Sequence, residues 1–170
     1  VREMNSKIIL YFHNDPRTMK GAKTVSDRIN LLNSVDKIIF ISNWVKKKFF
    51  EGLPNLSENK TQVIYHSIDP ITKNIKKIKQ IIFVGKLNES KGYDLFCKAL
   101  FPVLDKHTDW KAISIGGEKR YQHYNTHKKH INLGQIPHKK VLKFLSESEI
   151  AAIPSRWEEP FGRTALEATS

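Results

Sequence analysis

Two glutamates near the end of the chain have the types and spacing to act on one ligand. Seven residues separate Glu159 from Glu167, and a proline and a glycine lie between them. Pro160 biases Glu159 toward an extended conformation, whereas the pattern after Gly162 is helical. We therefore expect the first glutamate in a loop and the second on a helix. The N-terminus of a helix attracts anions, and carboxylates accept hydrogen bonds from hydroxyls. The arrangement therefore suits a ligand that carries both phosphates and hydroxyls, such as a nucleotide-sugar.

The alternative interpretation is that these acids are ordinary surface charges. Glu158, Glu159 and Glu167 all fall in polar surroundings, and charged side chains usually face solvent. A pair of glutamates at this spacing is therefore weak support for a site unless its neighbours agree.

The elements that must position these acids alternate along the chain. The short apolar run at 150–153 predicts a buried strand just before Glu159. Further strands are predicted at 7–13, 36–42, 61–66, 80–85, 110–115 and 131–134. Helices are predicted at 25–32, 44–51, 93–104 and 139–146, and after Gly162. Strands that alternate with helices indicate crossover units and parallel sheets.

This alternation falls into two units. Residues 1–72 form the first and residues 80–170 the second, and the segment 73–79, which has no clean hydrophobic period, is predicted to link them. A length of 170 residues corresponds to one ordinary domain or to parts of two.

The charge of the chain favours anionic partners without selecting one. Twenty-nine basic and seventeen acidic residues give a net charge of +12, which favours nucleic acid, acidic lipids or phosphorylated substrates. Lysines occur in nearly every segment, however, so a general surface excess explains the charge equally well. A single-stranded nucleic-acid site would combine basic residues with stacking aromatics, and the sequence has no convincing cluster of that kind. We expect no nucleic-acid partner.

The single cysteine and the lack of long apolar runs limit the cellular compartments that the sequence predicts. Cys97 alone excludes an internal disulfide framework and is consistent with a reducing environment; its apolar helical surroundings predict an inert buried thiol. No run of about 18 apolar residues could span a membrane, and no signal-peptide pattern is visible at the first residues. The expected location is cytoplasmic.

The segment from Pro154 to Ala168, PSRWEEPFGRTALEA, closely resembles the signature of the retaining glycosyltransferases of family four, in which two glutamates match Glu159 and Glu167. Several weaker matches occur in the same order as in that family: YFHNDP, SVDKIIFISNWVKKKF, VIYHSIDP, FVGKLNESKG, SIGGEKRY and INLGQIPHKKV. The resemblance implies an α/β fold with two Rossmann-like parallel-sheet domains, the GT-B fold. Relative to the family both domains are incomplete here, so we expect residues 1–170 alone to show weak turnover or none.

The function implied by this resemblance is transfer of a sugar from a nucleotide-sugar donor to an acceptor hydroxyl, with retention of the anomeric configuration. The acceptor would be a glycan or a lipid-linked glycan. No cofactor and no metal ion are expected, because the family is metal-independent. Three alternatives stay open: a GT-B sugar phosphorylase, an epimerase, and a non-catalytic module that binds a nucleotide-sugar.

Two lysines are expected to bind the donor's diphosphate. Lys86 and Lys91 follow a predicted strand, the first directly after Gly85, and ligands collect at the carboxyl ends of parallel strands. Preplaced cations stabilise the charge that a leaving diphosphate gains. The family usually has arginine in the place of Lys86, and lysine keeps the charge but not the planar fork that binds phosphate bidentately.

The remaining site residues are carried over from the family. The residues expected to lie against the donor's phosphates or sugar are Gly85, Phe161, Gly162, Arg163 and Thr164. Glu159 would bind the sugar hydroxyls and orient the anomeric carbon, and Glu167 would bind the ribose. His13 resembles the histidine that faces the donor sugar from the N-terminal domain; an ordinary histidine at a strand end is the alternative.

Two further patterns have competing explanations. His123, His127 and His130 would share a helical face that could bind zinc, but Lys128 and Lys129 oppose a cation there, so no metal site is expected.

Val45 and Phe49, with the lysines at 46–48, could place a helix on a membrane surface. Residues spaced by four more often face a core, and we favour the core. Peripheral contact with the cytoplasmic membrane face stays an open alternative.

Overall fold

In this computed structural model, the described residues are 6–53, 58–69, 75–118 and 127–170. The chain divides into two compact units, Val1–Ser67 and Ile68–Ser170, and each is described by itself. Within the described residues, no helix combines the length and the hydrophobicity that a membrane span requires.

The first unit is a three-stranded parallel sheet with two crossover helices. Its elements are β1 (Ile9–Phe12), α1 (Val25–Ser34), β2 (Lys37–Phe40), α2 (Asn43–Phe50) and β3 (Thr61–Val63). The strands lie in the order β1-β2-β3, and both neighbouring pairs are parallel.

Local sequence signals start both helices of this unit. Thr24 and Asp27 form a reciprocal capping box at α1, and the Ser42 hydroxyl accepts from the Val45 amide at 3.1 Å at α2.

Aromatic side chains fill the core of the first unit. Phe12, Phe40 and Phe49 are fully buried, and their ring centroids lie 5.1 to 6.0 Å apart. Val45 and Phe49 of α2 are both 0% exposed, which confirms that this face of the helix packs against the sheet rather than facing a membrane.

The second unit is a four-stranded parallel sheet with helices on both faces. Its elements are β4 (Ile78–Val84), α3 (Tyr93–Lys106), β5 (Lys111–Ile115), β6 (His130–Asn132), α4 (His138–Glu147), β7 (Ser148–Ala152) and α5 (Arg163–Ala168). The strand order is β6-β5-β4-β7, so β4 lies beside both β5 and β7.

Alternate residues of the central strand β4 enter different halves of the core. Ile81 and Phe83 pack with the apolar face of α3, including Leu100. Ile82 packs on the other side, with Val141 of α4 among its neighbours. Because successive side chains of a strand point to opposite faces, the near-continuous apolar run of β4 is that of a strand covered by helices on both faces.

Two predictions about this unit need correction. The run at 150–153 was predicted to be buried, but Ile150 is 45% and Ile153 42% exposed, because β7 is an edge strand of the described sheet. The histidines do not share a helix. His127 lies in a loop and His130 begins β6, whereas His123 lies outside the described residues.

The predicted boundaries otherwise differ by a few residues. β3 ends at Val63 rather than at the predicted residue 66. β4 begins at Ile78, inside the segment expected to be a linker; residues 70–74 of that region lie outside the described ones. Strand ends are set by partners across the sheet, which local patterns do not encode.

Candidate functional site

A lysine and a glutamate from two neighbouring loops meet at the carboxyl end of the second sheet. β4 and β7 are parallel neighbours, so the loops that follow them emerge at the same edge. Lys91 follows β4 and Glu159 follows β7, and the Lys91 Nζ donates to Glu159 Oε1 at 2.7 Å. Both side chains are about three-quarters buried, with exposed fractions of 22% and 24%.

Two donors hold the carboxylate of Glu159 in its charged form. The Ser155 hydroxyl donates to the same oxygen, Oε1, at 2.6 Å. Partial burial by itself would raise the pKa of Glu159, but the hydrogen bonds from Lys91 and Ser155 and the positive charge of Lys91 outweigh it. The pKa therefore lies below its ordinary value, and Glu159 is ionised at neutral pH.

The surroundings of this pair are compact. The Lys91 ammonium lies 5.3 Å from the ring centroid of Trp157, a cation–π distance. Lys91, Ser155, Glu159 and Thr164 line a cavity of about 10 Å³, which has room for about one water molecule. Glu167 is not among the residues that line it, so the two acids of the predicted pair are held in separate surroundings.

Arg156 ties the loop of Glu159 to the loop of Lys91. The amides of Arg156 and Trp157 both donate to the carbonyl of Ser90, at 3.0 and 3.2 Å. The Arg156 guanidinium forms a bidentate pair with Asp94 of α3 and also donates to the Glu89 carbonyl at 2.7 Å. These contacts fix residues on both sides of Lys91 in the sequence and so hold Lys91 against Glu159.

Two glycines permit close approach between loops at this edge of the sheet. Gly92 has a φ of 71°, and a Cβ there would lie 1.9 Å from the Pro154 carbonyl oxygen. Gly116 follows β5, and its Cβ would lie 1.9 Å from the carbonyl oxygen of Gly85. Only glycine fits at either position, because any side chain would overlap backbone atoms.

Glu167 has its own pair of donors. Its side chain is only 5% exposed, and both contacts converge on Oε1. The Arg163 Nε donates at 2.7 Å, and the Nε2 of His138, at the start of α4, lies 2.9 Å away.

Both glutamates therefore share one feature. Each uses Oε1 for protein donors, while Oε2 makes no hydrogen bond within the described parts of the chain. Glu159 Oε2 and Glu167 Oε2 are thus available to accept from a ligand hydroxyl.

The other predicted donor residues are placed as follows. Gly85 directly follows β4, and Lys86 is exposed and forms no ion pair with any described residue. Phe161 and Gly162 precede α5, and Arg163 and Thr164 are its first turn. The amides of that first turn have no partner within the helix.

His13 belongs to the first unit and is described there alone. It follows β1 and lies in a small group of rings with Tyr11 and His66, at centroid distances of 4.3 and 5.4 Å. Burial and the neighbouring charge of His66 lower the pKa of His13, so it is neutral at pH 7.

Four residues of the site escaped prediction from the sequence: Ser155, Arg156, Trp157 and His138. The first three belong to the matched segment 154–168, so its polar and aromatic members were a usable signal. His138 lies in another matched segment, INLGQIPHKKV, but nothing in that segment indicates a contact with Glu167, which depends on the packing of α4 beside α5. Among the described residues, no group of three His, Cys, Asp or Glu side chains could hold a metal ion.

Comparison with known families matches residues 66–170 to the family described as glycosyl transferases group 1. One relative is MJ1607 of Methanocaldococcus jannaschii, described as an uncharacterized glycosyltransferase, which is 30% identical over 78% of this chain and 39% of its own length. Another is the GPI3 subunit of phosphatidylinositol N-acetylglucosaminyltransferase from Saccharomyces cerevisiae, 25% identical over 82% of this chain and 34% of that protein. The chain spans about half the length of the curated relatives it matches, or less.

Solved structures show the same fold. The crystal structure of Anabaena HepE in complex with UDP matches 95% of this chain and 50% of that chain, with a TM-score of 0.72 and 19% identity. This likeness confirms the predicted fold class, an α/β chain with parallel sheets of the GT-B type.

Proposed function

This chain belongs to the glycosyl transferases group 1 family, and from that premise we propose that the protein transfers a sugar from a nucleotide-sugar to an acceptor hydroxyl. The observation that carries the proposal is the contact between Lys91 and Glu159. A cation and an ionised carboxylate meet at the carboxyl ends of two neighbouring parallel strands, which is where open α/β sheets bind their ligands.

Lys91 would neutralise the diphosphate of the donor. An ammonium group has three N–H donors, and Glu159 uses one, so the others can bind phosphate oxygens. Lys86, exposed beside the end of β4, would add a second positive charge. Negative charge grows on the diphosphate as the bond to the sugar breaks, and fixed cations lower the energy of that transition state.

Glu159 would hold the sugar. Its Oε1 is fixed by Lys91 and Ser155, so Oε2 can accept from sugar hydroxyls and orient the anomeric carbon. Thr164 lies in the same cavity. The cavity is small in this structure, so a sugar would enter only when the loops after β4 and β7 separate or Lys91 turns toward the diphosphate.

Glu167 would bind the ribose, and the first-turn amides of Arg163 and Thr164 would face the phosphates. His13, which is neutral at pH 7, would contact the sugar. We further propose retention of the anomeric configuration and a hexosyl donor. The solved relative that binds UDP supports a uridine nucleotide.

The acceptor we propose is a glycan or a lipid-linked glycan. It is supported by relatives encoded in a cps region of Klebsiella pneumoniae and by the phosphatidylinositol-directed relative. The proposed location is the cytoplasm, with peripheral contact at the cytoplasmic membrane face for a lipid-linked acceptor.

The experiment uses the full-length protein with UDP-sugars labelled in the sugar. The measurement follows the label into an acceptor, water, phosphate or a changed sugar, which separates a transferase from a hydrolase, a phosphorylase or an epimerase. Glu159→Gln removes the charge and keeps the shape. We expect it to lower the transfer rate about 100- to 1,000-fold, as loss of one preorganised contact does.

The matched control is Glu149→Gln, on the exposed face of the edge strand β7, which should leave the rate unchanged. Unchanged sugar transfer in Glu159→Gln would contradict the proposed role of Glu159. Binding of the nucleotide-sugar without any turnover of the wild type would favour a non-catalytic binding module.

A further inference from the structure

Glu167 is buried, yet one oxygen of its carboxylate has no partner among the described residues. The residue is 6% exposed, and all its side-chain contacts with the described residues use Oε1. Oε2 itself is not a buried unpaired atom; it keeps some access to solvent, so a ligand hydroxyl can donate to it.

Two contacts set the direction in which Oε2 points. The Arg163 contact joins residues four apart on the short helix α5, and such pairs are weak because both partners move with the same helix. The His138 contact comes from a different element, α4. It therefore fixes the carboxylate relative to the rest of the unit.

The chemistry of His138 defines its part in this arrangement. A neutral imidazole has one N–H donor and one acceptor. To donate to Glu167 at 2.9 Å, the proton must be on Nε2. With Oε1 occupied by His138 and Arg163, the second oxygen is available to a ligand donor.

We propose that His138 is a positioning residue that aims Glu167 at the ribose hydroxyls of the nucleotide and so makes the site discriminate ribose from deoxyribose. This inference rests on the proposed function. His138 itself touches no reacting atom. It acts through Glu167.

The test measures nucleotide affinity rather than turnover. Calorimetric titrations of the full-length protein with UDP, GDP and ADP, each compared with its 2′-deoxy form, give a ribose preference for the wild type. One hydrogen bond to a charged group corresponds to a preference of about 10- to 100-fold.

Three variants separate a positioning role from a general structural one. His138→Leu removes the donor and should reduce the ribose preference to about 2-fold or less, chiefly by weakening the binding of the ribose form. His138→Gln can still donate and should retain most of the preference. His107→Gln changes another exposed histidine of the same unit and should leave the preference unchanged.

The outcomes are distinguishable. An undiminished ribose preference in His138→Leu would overturn the inference and leave the proposed function intact. Failure of the wild type to bind any of the three nucleoside diphosphates would overturn both. Should the leucine variant fold poorly by circular dichroism, His138→Ala replaces it and should show the same reduced ribose preference with an unchanged affinity for the deoxy form. Loss of the preference in a folded His138→Gln variant, or a loss of affinity shared equally by both nucleotide forms, contradicts the inference.

Discussion

Arg156 and Asp94 form a bidentate ion pair that joins the loop of Glu159 to the helix after Lys91. Both nitrogen–oxygen distances are 2.6 Å, and the hydrogen bond from Arg156 holds the pKa of Asp94 below its usual range. The pair is partly exposed, with side-chain exposed fractions of 43% and 33%, so its contribution to folding is modest. Its geometric effect is larger, because it sets the spacing of the two loops.

Replacing Arg156 with lysine should therefore impair the site more than the fold. Lysine keeps the charge but cannot form the planar fork. We expect kcat/KM for the nucleotide-sugar to fall about 10-fold, which corresponds to about 1.4 kcal/mol, with little change in Tm. Steady-state kinetics of the full-length protein measure this. Lys79→Gln, which breaks the exposed pair with Asp109, is the control. An equal fall in kcat/KM for that variant would contradict a specific role for the Arg156–Asp94 pair.

Alanine substitutions at two glycines can distinguish the cost of a left-handed backbone from the cost of a steric overlap with another segment. Gly92 and Gly134 both have positive φ, 71° and 63°, but only Gly92 lies against another backbone atom. Gly134→Ala should cost about 1–2 kcal/mol, the left-handed penalty alone. Gly92→Ala should cost more, because the Pro154 carbonyl must also move. Denaturant unfolding gives both values, and equal losses would contradict the close packing of the two loops.

The stability of the second unit should fall below about pH 6.5. His130 is packed among aromatic rings and contacts Ser114, and burial, followed by the charge of His127, lowers its pKa from 6.5. The unfolded chain then binds a proton that the folded chain does not. The contribution of His130 to the free energy of unfolding is therefore complete above pH 6.5. It is lost as the pH falls from 6.5 to the lower pKa of the folded state.

Unfolding free energies at pH 7.5 and 5.5 test this, because His130→Gln should lose less stability between the two values than the wild type. His107→Gln provides the control, since it should leave the difference unchanged. A wild type with equal stability at both values would show that His130 titrates normally.

Cys97 should react slowly with thiol reagents. It is 5% exposed within α3, and burial raises the pKa of its thiol. Both effects reduce the thiolate, which is the reactive form. Labelling with a disulfide reagent at pH 8 should proceed at least about 100-fold faster in denaturant than in buffer. Similar rates in both conditions would indicate that α3 opens readily.

The order of strands and helices could be predicted because it depends on local patterns. The apolar run of β4 indicates a strand that is covered on both faces. The four-residue spacing of Val45 and Phe49 indicates which face of α2 is apolar. The family resemblance likewise depended on contiguous motifs, and the match over residues 66–170 confirms it. The exposure of Ile150 could not be predicted in this way, because an apolar strand has the same pattern at the edge of a sheet as at its centre.

The sequence by itself determined which residues could carry the chemistry: Lys91, Glu159 and Glu167 stand out by type, spacing and neighbours. Only the tertiary structure decided their partners. It brought Lys91 to Glu159 across 68 positions of sequence, because β4 and β7 are adjacent in the sheet. It also placed Glu167 beside His138, outside the cavity that Glu159 lines. Local patterns encode the conformation of each element, whereas contacts between distant side chains depend on how whole elements pack.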